Sequence, residues 1–111
     1  MATDLEFIQY VCEQISETGR IRYRKMFGEY MAYVNDKPIL LVCNNSVYIK
    51  QHACLVELMK ESEKGIPYTG AKEHYILDID NKELCTEVIK LVEPLVNIIM
   101  SRDNWTGIET I

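Results

Sequence analysis

The chain has 111 residues, 48% of them apolar and 26% charged, with a formal net charge of −5. That length holds one domain, and folding withdraws roughly two-thirds of the unfolded surface from water, enough for a core without covalent staples. The composition excludes a disordered chain. The acidic balance argues against a protein whose main work is gripping phosphate backbones, because such affinity comes from neutralising phosphates.

The first expected element is a helix. Thr3-Asp4-Leu5-Glu6 reads as a capping box, after which Leu5, Ile8, Val11, Cys12 and Ile15 recur on one helical face, and Gly19 supplies the stop. The period then changes to two. Ile21 to Lys25 alternates, Tyr30 to Val34 is a strand, Asn35-Asp36-Lys37-Pro38 a turn, and Ile39 to Cys43 a second strand. Asn44-Asn45 makes a tight turn into Val47 to Lys50, since Asn tolerates the positive φ of twist-matched hairpin turns. A second helix is expected over His52 to Ser62 with Cys54, Leu55, Leu58 and Met59 inward. Gly65, Pro67 and Gly70 then open a loop around Tyr68.

His74 to Ile79 reads as a further strand, with Tyr75, Leu77 and Ile79 opposite Ile76 and Asp78. Asp80-Asn81-Lys82-Glu83 is a cap for a last helix from about 81 to 101, which Pro94 bends or divides. The order helix, meander, helix, strand, helix predicts a two-layer α+β domain, an antiparallel sheet with its helices packed on one face. Its expected extent is 1–101, with 102–111 a mobile polar tail apart from Trp105.

The four cysteines, Cys12, Cys43, Cys54 and Cys85, form no C-x-x-C pair. The N-terminus shows neither a basic flank nor an apolar signal core, and no apolar run approaches a membrane span. The expectation is a cytoplasmic chain with reduced thiols used as small hydrophobes and no membrane association.

No constellation announces chemistry. The two histidines, His52 and His74, lie outside any nucleophile motif and read as surface residues. Cys54 follows His52 at i+2, which on a helix points the two side chains apart. A deep pocket lined by His52, Cys54 and Tyr68 is what an enzymatic reading requires. The five glycines are scattered singly, so there is no phosphate-binding loop. Glu13/Glu17 and Glu57/Glu61 are acidic pairs four apart that read as wet helix faces. Neither a metal nor another cofactor is expected, and the chain reads as not an enzyme.

Two surfaces stand out. Arg20, Arg22, Arg24 and Lys25 place four cations and no acid within six residues. On an extended segment the three arginines fall about 6–7 Å apart on one face, suited to an acidic partner or to phosphates. The bland alternative is an edge strand whose charge discourages stray pairing. The second surface is surplus apolar area. From Leu84 to Ile99 the apolar residues of the last helix cover roughly 180° of its circumference, more than one buried stripe needs. On the sheet, Tyr33, Leu40, Val42 and Tyr48 are expected to form an outward apolar surface, suited to a protein partner or to self-association. Nucleic-acid binding through Arg20–Lys25 is the alternative.

The run Arg24-Lys25-Met26-Phe27-Gly28-Glu29-Tyr30-Met31-Ala32-Tyr33, with the hairpin through Leu41-Val42 to Val47-Tyr48-Ile49-Lys50, resembles the TfoX/Sxy N-terminal domain family. Glu29 stands where that family commonly has a second glycine, and Met31 where a small residue is usual. The resemblance implies a stand-alone N-terminal domain of bacterial origin. It also implies a two-layer α+β fold of the kind shared with type III secretion chaperones, and a link to competence and transcription regulators without known catalysis. In that family pattern Met26 and Phe27 anchor the strand start in the core while Gly28 permits a bend.

Overall fold

A computed structural model describes residues 4–26 and 29–96. The expected tail at 102–111, the last turns of the final helix and the Phe27-Gly28 step lie outside the described residues. The observed architecture is α+β, as the periodicities predict. Helix α1 (Leu5–Gln14) leads through a short 3-10 helix (Ser16–Thr18) into β1 (Ile21–Met26), β2 (Glu29–Val34), β3 (Lys37–Cys43) and β4 (Ser46–Ile49). Two further strands, β5 (Lys64–Gly65) and β6 (His74–Ile76), precede α2 (Lys82–Val92). The sheet is antiparallel with strand order β1-β2-β3-β4-β6-β5.

The hairpin turns form where local stereochemistry allows them. Asn35 and Asp36 take φ of 53° and 67°, and Asn44 and Asn45 take 51° and 56°. Two successive left-handed residues give a turn whose twist matches the flanking strands. Pro38 belongs to β3 and not to the turn. Between β2 and β3, Ala32 pairs with Leu40 but Tyr33 pairs with Pro38, so Ile39 is the extra residue of a bulge.

One face of the sheet carries the main core. Ile8, Val11 and Ile15 of α1 and its exit pack with Cys85, Val88, Ile89 and Val92 of α2 against Ala32, Val34, Leu40, Val42, Val47 and Ile49. Fully burying each of the larger side chains contributes about 1.5–3 kcal/mol. Leu40 and Val42 therefore belong to the helix side, both at 0% exposure, which corrects their expected place on an outward surface. Val42 faces Tyr30 and Val47 across the ladder, and cross-strand partners share a face.

The opposite face holds a second apolar cluster of Met31, Tyr33, Leu41 and Cys43, flanked by Met26 and Tyr48. Met26 thus packs against this outer cluster and not in the main core. The four central residues of this cluster are themselves buried, so the face is apolar without being open.

The second helix does not form as expected. Residues 53–55 make one 3-10 turn, and the bonds that follow mix i−3 and i−4 spacing, as in Met59 to Leu55 and Ser62 to Met59. Leu55 and Met59 are fully buried while Cys54 is exposed. α2 is divided at Pro94, where a 3-10 helix (Glu93–Leu95) succeeds it, and Asn81 caps its start by accepting the Leu84 N–H at 3.0 Å. At the start of α1, Asp4 occupies the cap position without a side-chain cap bond.

Candidate functional site

β1 is the outer strand on one side of the sheet, with a burial pattern exposed over 22–25. Its register places Arg22 opposite Tyr33 and Arg24 opposite Met31, on the outer face, while Tyr23 and Lys25 sit opposite Ala32 and Tyr30 on the helix side. Arg20 and Arg22 are engaged at the neighbouring hairpin turn. Asp36, at the β2–β3 turn, pairs with Arg20 and accepts from Arg22 Nη1 at 3.0 Å. Exposed ion pairs of this kind contribute little stability, but they offset part of the local positive charge. Tyr23 stays more than a third exposed and meets Tyr30 edge-on at 5.6 Å.

On the outer face burial pushes the Tyr33 hydroxyl up to about 12, with Arg24 and Arg22 pulling weakly the other way. Gly65 lets β5 approach closely, since a Cβ there would lie 3.2 Å from Ile76 and 3.4 Å from Tyr48. On the helix layer, Leu91 is 41% and Leu95 61% exposed. The surplus apolar arc of the last helix thus includes two leucines turned to solvent, and the Cys54 thiol lies 3.9 Å from the Leu91 carbonyl oxygen.

A third feature is a cleft of about 540 Å³ where β4 ends and β6 begins, lined by residues 50–52 and 70–74. It brings His52 and His74 together, with Lys50 and Lys72, but neither Cys54 nor Tyr68 lies in its wall. His74 is 3% exposed, so its reading as a surface histidine is corrected. Its ring is held by Nδ1, 2.7 Å from the Lys72 carbonyl oxygen, and meets Tyr48 edge-on at 6.5 Å. Burial lowers the pKa of both histidines; Lys50 lowers both further, and His74 adds to the effect on His52.

Sequence reasoning missed this grouping. Its one trace in the sequence is a repeated Lys-x-His, at Lys50-Gln51-His52 and Lys72-Glu73-His74. Two copies of so short a pattern mean nothing until β4 and β6 pair.

The thiols offer no activated nucleophile among the buried cysteines. Burial raises Cys12 and Cys85 to about 11 and Cys43 to about 12, keeping them protonated at neutral pH. Among the described residues no three His, Cys, Asp or Glu side chains converge as a metal site. No described helix is long and apolar enough to cross a membrane.

The TfoX N-terminal domain model matches residues 13–82 of the chain. This stretch runs from α1 through all six strands to the start of α2. A protein from Spirochaeta aurantia, "Uncharacterized 12.7 kDa protein in trpE 5'region", is 36% identical over 78 residues, covering 70% of this chain and 68% of its own length.

Proposed function

Because the chain belongs to the TfoX N-terminal domain family, a family of competence-related regulatory domains, we propose that it is a regulatory module working by protein contact and not by catalysis. Its partner presents an extended acidic segment that adds to the sheet along β1. The observation that carries this reading is β1 itself, a six-residue edge strand that is cationic on a chain of net charge −5.

Alternate N–H and C=O groups of an edge strand point away from its one neighbour and are satisfied by an added strand. Arg22 and Arg24 on one face and Lys25 on the other favour carboxylates at alternating partner positions. Pairing of β1 with β1 of a second copy would set cation against cation, which disfavours self-association through this edge. An acidic strand and a phosphate backbone meet the same net charge and the same Asp36, but only the strand also gains main-chain hydrogen bonds along the edge.

The test is titration of the labelled chain with a synthetic peptide of alternating glutamate and valine, followed by NMR and amide hydrogen exchange. Saturable shifts and new protection confined to β1, lost in the Arg22→Glu/Arg24→Glu variant, support the proposal. Protection elsewhere, or none, overturns it. A DNA duplex titrated in parallel decides the nucleic-acid alternative: binding that falls steeply with salt and needs the same arginines would replace the peptide reading.

A further inference from the structure

The cleft between the end of β4 and the start of β6 is separate from β1, and nothing in the protein-contact reading uses it. Its wall carries two lysines, Lys50 and Lys72, two histidines, His52 and His74, and one acid, Glu73. The acid is engaged by a neighbour in the wall: its Oε1 accepts from Gln51 Nε2 at 3.3 Å, and the same Gln51 nitrogen donates to the Glu73 carbonyl at 3.0 Å. Four groups able to carry positive charge therefore gather in a concavity of an acidic chain.

His74 adds an independent observation. Its Nδ1 faces the Lys72 carbonyl oxygen and so carries the proton, which leaves Nε2 as the free nitrogen. That Nε2 is buried and has no hydrogen-bond partner. A polar atom withdrawn from water without a partner costs free energy, and such atoms in folded proteins call for an account. Burial first, and Lys50 after it, oppose protonation of both imidazoles, and an anion in the cleft would offset the Lys50 contribution.

We propose that this cleft binds a small phosphomonoester, with the phosphoryl group between the Lys50 and Lys72 ammonium groups and His52 and His74 protonating as it binds. A dianion offsets both fixed charges and favours the imidazolium forms, and protonated His74 donates from both nitrogens, Nδ1 to the Lys72 carbonyl and Nε2 to the ligand. Nε2 is shielded from bulk water, so this contact requires the atoms that cover it to shift. Lys50 and Lys72 are exposed and His52 is half-buried, so they reach the ligand without such movement. The charged and titratable groups of the cleft wall beside His74 are Lys50, His52, Lys72 and Glu73, and Tyr48 meets its ring from β4.

The experiment is an NMR titration of the full chain with inorganic phosphate, with sulfate as a dianion whose charge does not change near neutral pH, and with acetate as a monoanion. The expected result is saturable shifts at residues 50–52 and 70–74 with phosphate and sulfate and much weaker ones with acetate. Raised pKa values for both histidines in the bound form, and sulfate binding that weakens several-fold per pH unit between the free and the bound histidine pKa values, complete the expectation. Lys50→Ala/Lys72→Ala, two exposed positions, abolishes the shifts while thermal unfolding of the free chain stays unchanged. Shifts that do not saturate, shifts elsewhere, affinity unchanged in that variant, or imidazole pKa values indifferent to the anion each overturn the proposal. These outcomes are independent of whether β1 binds a peptide.

Discussion

Lys37 Nζ lies 3.0 Å from Glu93 Oε1 and 3.0 Å from the Glu93 carbonyl oxygen, joining the start of β3 to the turn that ends α2. Asn35 reaches the same carboxylate from the hairpin, its Nδ2 donating at 3.4 Å. These contacts fix the last helical turn above the sheet at the point where Pro94 stops α2. They also hold the Glu93 carboxyl below the usual carboxylate range, through the bonds from Lys37 first and Asn35 second. A depressed folded-state pKa means stability that is fully present above the unfolded value and lost as pH falls from there through the folded one. Thermal unfolding across pH should show an acid loss below the ordinary carboxyl value of 4.5 that Glu93→Gln reduces. Superimposable acid limbs for the two proteins would contradict the assignment.

Gly19 should be irreplaceable on steric grounds. Its φ of 154° lies where L side chains rarely sit, and a Cβ would come 2.7 Å from the Asn35 amide. Asn35 cannot easily move, because its Oδ1 accepts the Arg20 N–H at 2.9 Å and its own N–H donates to the Arg20 carbonyl at 2.8 Å. Gly19→Ala is expected to cost about 2 kcal/mol in urea unfolding, and an unchanged midpoint would show that the backbone tolerates a side chain there.

The two sides of the helix layer should respond very differently to truncation. Leu40 is fully buried between the sheet and the helices, so Leu40→Ala removes packing and leaves a cavity, costing about 3 kcal/mol. Leu91 faces solvent, and Leu91→Ala should stay within about 0.5 kcal/mol of the parent. Equal losses in the two variants would mean that Leu91 is covered in solution.

The histidine cleft makes the free chain acid-sensitive at a higher pH than its carboxylates do. His52 and His74 have folded-state pKa values below the ordinary 6.5, so the unfolded chain binds more protons as pH drops beneath that value. Stability should therefore be complete above pH 6.5 and decline below it. His74→Gln is expected to flatten this decline, and a melting temperature that is flat through this range in the parent chain would remove the basis for the effect.

Much of this molecule is legible in the sequence because its signals are local. The Asn35-Asp36 and Asn44-Asn45 steps form turns since these side chains tolerate positive φ, a property of single residues and their neighbours. Tyr75, Leu77 and Ile79 alternate with polar or half-buried residues and are all buried, and Pro94 divides the last helix for want of an N–H.

The tertiary structure alone decided what alternation leaves unsigned. Ile39 to Cys43 is apolar at every position, so a period of two cannot say which set faces the helices, and the bulge at Ile39 shifts the register besides. Pairing with Tyr30 and Val47 turns Val42, and with it Leu40, inward. The stretch after His52 carries a helical stripe, yet of its expected inward residues only Leu55 and Met59 are fully buried, and their packing settled its shape. The cleft of His52 and His74 exists only because β4 pairs with β6 across a long loop. Burial of His74 and the field of Lys50 arise from that pairing, and no residue pattern along the chain encodes either.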